Sequence, residues 1–235
     1  MKSDVAISTI SWIRTPEESK VVLQTIEYLN KLNLPIVIVD AGSPKEDLEI
    51  IKRFNNVSLS ESKEGLTSQL IKSHRESAKV GEHLFYLHTD KLDFAKDSAP
   101  EMIKRYRKLV NKGIFVPTRT TESLNTYPEF QMKEEEYLNF FMSDYVGIKA
   151  DYYAGPKIYP TSLVKYLDMV EGNIGWGIEA YLYAIAKRLN LSFDFFSCYM
   201  QSPNDVDDVE KTKRYRLKIM QWQIEGLIQG QEVKL

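Results

Sequence analysis

Short runs of β-branched or aromatic residues, at Val5 to Ile10, Ile36 to Val39 and Leu84 to Leu87, each stop at polar or turn-forming residues, and helical spacing fills the chain between them. Strands that alternate with helices in this way pair in parallel, because returning from the end of one strand to the start of the next takes a helix's length of chain. Thr15, Pro16 and Glu18 supply an N-cap, a residue preset for the first turn and a capping-box partner. They predict a helix from Pro16 to Lys31 with Val22, Leu23, Ile26 and Leu29 inward. Ser43, Pro44 and Glu46 repeat the arrangement ahead of a second helix that buries Leu48, Ile51 and Phe54. Val57 to Ser60 reads as a short third strand, followed by a polar loop to Gly65 and a helix through Leu66, Leu70, Ile71 and Ala78 that Gly81 closes. Pro100 and Glu101 open another helix that ends near Gly113, ahead of a strand at Ile114 to Val116.

Beyond residue 117 the pattern changes. The stretch TRTTESLNTYPEFQMKEEEY is polar and turn-rich, and additions of this kind to a sheet scaffold usually carry substrate specificity. Glu135 to Met142 has helical character and Tyr152 to Ile158 extended character. Ile178 to Leu189 is a predicted helix with Ala180, Leu182, Ile185 and Leu189 inward, Ser192 to Ser197 a strand, and Val206 to Ile228 a last helix. With 235 residues, 43% of them hydrophobic, the chain suffices for one domain that buries roughly 70% of its unfolded surface.

Charge and cysteine usage exclude several classes. Thirty-one Lys and Arg against 33 Asp and Glu leave a formal charge of −2, so no global positive field attracts nucleic acid. The basic stretch from Lys211 to Lys218 follows Asp207, Asp208 and Glu210 and reads as a solvated helix face, with attachment to a membrane surface as the lesser alternative. One cysteine, Cys198, permits neither a disulfide framework nor a cysteine-rich zinc site. No run of about 18 apolar residues occurs and no basic segment precedes an apolar leader, so a soluble, cytoplasmic protein is expected.

In an open α/β sheet, ligands bind beyond the carboxyl ends of the strands, where helix N-termini also face anions. Three segments deliver polar groups there: Ser11 to Arg14 after Ile10, Asp40 to Ser43, and His88 to Asp93. His88 and Asp90 stand two apart, which on an extended segment projects both to one side, where they can share an ion. The alternative is a surface histidine beside a capping aspartate. Nitrogen ligation suits Mn²⁺ better than Mg²⁺. Glu179 follows Gly175, Trp176 and Gly177, a combination that lets backbone approach a ligand while the indole offers a flat face to a sugar ring. Glu179 then binds an acceptor hydroxyl or acts as general base, or else it is a first-turn acid favoured by the helix dipole. Gly155, Pro156 and Lys157 form a turn suited to a sugar or phosphate contact, and Arg14 and, more weakly, Arg119 are candidate phosphate partners.

These segments, in this order, resemble the GT-A glycosyltransferases, a nucleotide-diphospho-sugar transferase superfamily with a Rossmann-like fold. VAISTISWIRTPEESKVVLQTIEYL resembles the opening strand and helix, and IVIVDAGSPKEDLEII the second strand with its acidic turn, Asp40 being the matching acid. HLFYLHTDKLDF stands where the Asp-x-Asp metal motif is expected; Asp90 matches its last carboxylate, and His88 replaces the first. ADYYAGPKIYP and GNIGWGIEAYLYAIAKRLNLSFDFF resemble the acceptor half, with Glu179 the matching acid. The likeness covers most of residues 5 to 200 and is nearest to glycosyltransferase family 2 and mannosylglycerate synthase-like enzymes. It implies a mostly parallel sheet flanked by helices, with an acceptor-side extension and a C-terminal helix. Residues 1–95 would form a nucleotide-sugar half, 96–204 an acceptor half, and 205–235 the terminal helix and tail.

Transfer of a sugar from a nucleotide-diphosphate donor, assisted by Mn²⁺ or Mg²⁺, is the activity the resemblance implies. Ile10, Ser11, Arg14, Asp40, Gly65 and Asp90 would bind the donor, His88 and Asp90 the metal, and Gly155, Lys157, Trp176, Gly177 and Glu179 the acceptor, with Glu179 catalytic. The acceptor would be a small molecule, a glycan or a lipid-linked compound, and self-association is compatible with the sequence. No third histidine follows in the C-terminal loop, where the family often supplies a ligand, so Tyr199, Gln201, Asn204, Asp205 or water would take that place. Two rivals stand: a noncatalytic nucleotide-sugar or carbohydrate-binding protein, and a phosphohydrolase with Asp40 as nucleophile, which the turn disfavours because no second carboxylate is nearby.

Overall fold

The computed structural model describes residues 2–202 and 209–235. Its elements in chain order are β1 (Ser3–Ser11), α1 (Pro16–Asn30), β2 (Ile36–Asp40), α2 (Lys45–Ile51), β3 (Val57–Glu61), α3 (Leu66–Val80), β4 (Gly81–Tyr86), α4 (Ala99–Lys108), β5 (Ile114–Arg119), α5 (Thr121–Leu124), α6 (Glu129–Val146), β6 (Lys157–Pro160), α7 (Ile178–Arg188), β7 (Phe193–Cys198) and α8 (Val209–Glu232). The strands form one sheet in the order β3-β2-β1-β4-β6-β5-β7. Six run parallel, and β6 runs against its neighbours β4 and β5.

That reversal matters for the site. The carboxyl ends of β1, β2, β4, β5 and β7 share one edge, and because β6 is antiparallel its first residue, Lys157, pairs with Tyr86 at that edge. Side chains alternate across the sheet. Ile7, Ile36, Ile38 and Phe85 pack with Ile26 and Leu29 of α1, Ile51 of α2 and Met102 of α4, while Leu84, Tyr86 and Val116 pack with Leu70 of α3 and Tyr181, Leu182 and Ile185 of α7. No described helix is long and apolar enough to cross a membrane.

Local chemistry departs from the sequence expectations at several points. Thr15 caps α1 by accepting from the Glu18 amide at 3.2 Å, but the Glu18 carboxylate reaches past the cap to the Arg14 amide at 2.7 Å. Ser43 does not cap α2, which begins at Lys45 behind Pro44 with no side-chain cap; its hydroxyl donates to Asp40 instead. Gly81 is extended, at φ −125°, and α3 runs straight into β4. Glycine is needed there because a Cβ would lie 2.6 Å from that of Ala6 on β1. A wide helical turn, Phe94–Ser98, precedes α4, which ends at Lys108 short of Gly113. Extended structure over Tyr152 to Ile158 begins only at Lys157, and α6 is longer than expected. Leu189 lies past the end of α7, partly exposed, and the start expected for the last helix, Val206, lies outside the described residues.

Candidate active site at the carboxyl edge of the sheet

Two buried acids stand at this edge in different surroundings. Asp40, at the end of β2, is fully buried. One carboxylate oxygen accepts from the Gly42 and Ser43 amides, each at 2.7 Å, and the other from the hydroxyls of Ser11, at 2.7 Å, and Ser43. The Ser43 hydroxyl in turn accepts from the Ile13 amide at 2.8 Å. Asp40 therefore clips the loop after β1 to the turn after β2, with both oxygens turned into the protein.

Glu179 is placed by the turn Gly175–Gly177 and the first turn of α7. It is 8% exposed and faces a cavity of about 220 Å³. Its Oε2 lies 2.5 Å from Lys157 Nζ and its Oε1 3.9 Å from His88 Nε2. Burial pushes the Glu179 carboxyl up, but Lys157 and His88 outweigh it and hold the group below its ordinary value. Lys157 is held below the ordinary lysine value by burial, in spite of Glu179. Behind this pair is a recess of about 10 Å³ lined by His74, Tyr86, Tyr159 and Tyr183, space for about one water. The hydroxyls of Tyr86 and Tyr159 are buried there without a partner among the described residues.

His88, Asp90, Trp176 and Gly155 line the main cavity with Glu179. The His88 ring packs on the indole of Trp176 with centroids 4.5 Å apart. The segment carrying His88 is a turn rather than extended chain, closed by the Lys91 amide donating to the His88 carbonyl at 3.2 Å. His88 consequently turns inward to Glu179, while Asp90 is 58% exposed beside Lys91, at 3.6 Å. Among the described residues no three metal-ligating side chains converge. The donors present nevertheless suit an open divalent site: Asp90 offers an accessible carboxylate and His88 a nitrogen that favours Mn²⁺ over Mg²⁺, with remaining positions for ligand oxygens. Tyr199 and Gln201 do not line the cavity, and Asn204 and Asp205 lie outside the described residues.

Of the opposite wall the sequence singled out Arg119 alone, as a phosphate partner, a role its own carboxylates take instead. Arg119, at the end of β5, is buried and bonds Asp151 through Nε at 2.7 Å and Glu135 through its terminal nitrogen. Arg216 of α8 donates to Glu134 and Glu135, each at 2.6 Å. Tyr215, Ile219 and Gln223 complete the α8 contribution to the cavity. The helix is docked on the Trp176 turn: Gln223 donates to the Trp176 carbonyl at 3.0 Å and the indole donates to the Tyr215 hydroxyl at 2.9 Å. Arg216 thus departs from the solvated face expected of the basic stretch, whereas Lys213 and Arg214 are exposed.

Several expected ligand contacts have other partners. Gly177 does not line the cavity; a Cβ there would lie 1.9 Å from the Trp222 carbonyl oxygen, so the glycine admits α8 rather than a ligand. Lys157 faces the inner recess, and Ile10, Ser11, Arg14, Asp40 and Gly65 lie outside the main cavity. Ser11 is buried against Asp40, and the Ile10 carbonyl accepts from the Thr89 hydroxyl at 3.1 Å. Arg14 is exposed, held by Glu18 and stacked over Trp12 at 5.0 Å. Gly65 precedes α3 at φ 98° with open space around it, and Gly155 turns at φ 103° beside the cavity.

No protein-family model and no curated protein matches the chain by sequence. Solved structures match it by shape. Mannosyl-3-phosphoglycerate synthase from Rubrobacter xylanophilus superposes with a TM-score of 0.70 at 14% identity, over 99% of this chain and 76% of that one. Glucosyl-3-phosphoglycerate synthase from Mycobacterium tuberculosis gives 0.69 at 10% identity, over 96% and 81%. The fold is the GT-A fold. The mycobacterial enzyme has also been solved with Mn²⁺, UDP-glucose and glycerol 3-phosphate, and that structure superposes at 0.65 with 10% identity, over 96% of this chain and 80% of its own.

Proposed function

We propose that this chain is a glycosyltransferase that moves a sugar from a nucleotide-diphosphate donor to a hydroxyl acceptor in the cytoplasm. The observation that carries the reading is the convergence of Glu179, His88, Asp90 and Trp176 on one cavity at the carboxyl edge of a GT-A sheet. The mycobacterial neighbour, solved with UDP-glucose and Mn²⁺, supports the donor class and the metal. In this reading residues 1–95 serve the donor and residues 96–204 the acceptor. Asp40 acts through the loop it clips, holding the exposed Trp12 and Arg14 and the Gly42 turn toward the nucleoside without touching it.

Asp90 and His88 would hold a divalent ion, which when bound supplies the positive charge that a departing diphosphate needs. Trp176, packed on His88, offers an apolar face to the sugar. Glu179, kept ionised by Lys157 with His88 beside it, accepts a hydrogen bond from a sugar or acceptor hydroxyl and fixes it relative to the anomeric carbon. A carboxylate held below its ordinary value is a weak base at neutral pH, so its part is positioning rather than proton removal. The test is release of nucleoside diphosphate from UDP-, GDP-, ADP- and dTDP-sugars with Mn²⁺, coupled to detection of a glycosylated product. Turnover of one donor class that Glu179→Ala abolishes is expected. Donor binding with no transfer to any acceptor would move the reading to a noncatalytic carbohydrate-binding protein.

A further inference from the structure

The cavity that Glu179 faces has a second end, walled by α6 and α8, whose charges constrain what it accepts. Four cations stand at or just behind its surface, each beside a carboxylate: Lys91 near Asp90 at 3.6 Å, a carboxylate that the metal-holding role would take from it, Arg119 with Asp151 at 2.7 Å, Lys157 with Glu179 at 2.5 Å and Arg216 with Glu134 at 2.6 Å. Glu135 is a fifth carboxylate, shared between Arg119 and Arg216. Three of these pairs have both partners buried or nearly so, and freeing one of their cations for a ligand would leave a carboxylate uncompensated in low dielectric.

One polar group at this wall is left over. Glu134 is 8% exposed and lines the cavity; Oε2 accepts from Arg216, while Oε1 is buried with no partner among the described residues. An unsatisfied carboxyl oxygen at a cavity wall is completed by a hydroxyl, which donates to the ionised form and accepts from the protonated one. We infer that the acceptor is an uncharged polyhydroxy compound, a polyol or sugar, and that Glu134 receives one of its hydroxyls. The inference rests on the glycosyl-transfer reading for the word acceptor, but the charge selectivity belongs to the pocket itself. Burial raises the Glu134 carboxyl to about 7 against the pull of Arg216, so near neutral pH the wall has little net charge with which to hold a cationic acceptor.

Two measurements test this on the full chain. In the transfer assay with Mn²⁺ and the active donor, sorbitol, myo-inositol and methyl glucoside are compared with glycerol 3-phosphate, 3-phosphoglycerate and glucosamine. The best neutral compound is expected to exceed the best charged one at least tenfold in kcat/KM. If no donor is turned over, the transferase reading fails by itself, and equilibrium titration of the same compounds still reads the pocket. Glu134→Gln keeps an acceptor oxygen but leaves Arg216 with only Glu135, which Arg119 shares, and should narrow the neutral-to-anionic ratio about tenfold. Arg216→Met loosens the same wall but removes the cation between Glu134 and Glu135, and should widen that ratio rather than narrow it. A phosphorylated or amino compound preferred by the wild type in either measurement, or a ratio unmoved in Glu134→Gln, overturns the inference.

Discussion

Asp40 and Glu179 are both buried acids at one sheet edge, yet the first is closed by amides and hydroxyls while the second is held by Lys157 beside His88 and faces a cavity. Neutral donors that use both oxygens make a carboxylate into a clip between loops. Ammonium and imidazole partners keep it ionised, and an open side lets a ligand hydroxyl reach it. Burial alone does not separate an acid that clips loops from one that a ligand can reach; the identity of the partners and the presence of a cavity do.

The largest test of this contrast is at Glu179. Glu179→Gln should lower transfer at least a hundredfold and cost about 3–5 kcal/mol, because Lys157 is left buried without its counter-charge. The double variant Glu179→Gln, Lys157→Met should regain most of that stability in denaturant titration and none of the activity. Stability without recovered activity separates the two roles; recovery of both would remove Glu179 from the site.

Next is the histidine under this pair. Burial lowers His74 from 6.5 to about 3, so the folded state keeps it neutral while the unfolded chain takes up a proton below pH 6.5. Its contribution is complete above pH 6.5 and is lost as pH falls toward 3, on the order of 4 kcal/mol over the window. His74→Gln should flatten that part of the stability profile in urea titrations from pH 7 to 4. An unchanged slope would place the charge sensitivity elsewhere.

Asp40→Asn should cost about 2–3 kcal/mol, since an amide cannot accept from all four donors. Transfer by the folded fraction should stay within severalfold of wild type, with any loss in donor KM. A thousandfold fall in kcat at unchanged stability would make Asp40 a direct participant. The smallest effect is expected at Gly226 of α8, where a Cβ would lie 2.0 Å from the Gly177 carbonyl oxygen. Gly226→Ala should cost about 1–3 kcal/mol and raise acceptor KM by displacing Arg216 and Gln223 from the cavity.

The parallel core was legible because apolar runs and helix caps repeat in the first hundred residues, and β1 to β4 fall where those signals end. The reversed β6 was not, since Lys157 to Pro160 contains too few residues to announce a direction. Glu179, His88 and Asp90 were readable as polar groups beside a strand or a glycine-rich turn. The Arg119, Glu134, Glu135, Asp151 and Arg216 network was hidden, because an acidic run on one helix and a basic run on another look like solvated faces until the helices pack. Gly177 was picked out correctly as a close-approach glycine and given the wrong neighbour: α8 fills the space assigned to a ligand.

Thermal unfolding with UDP, GDP, ADP and dTDP, each with Mn²⁺, Mg²⁺ or chelator, tests most directly whether this edge is a nucleotide-sugar site. One nucleotide at about 100 times its Kd should add about 2.7 kcal/mol, roughly 5 to 10 °C for a chain of this length. The shift should be larger with Mn²⁺ than with Mg²⁺ and should disappear in Asp90→Ala. A panel in which no nucleotide moves the transition, or a shift that persists unchanged in Asp90→Ala, would contradict the donor site proposed for this edge.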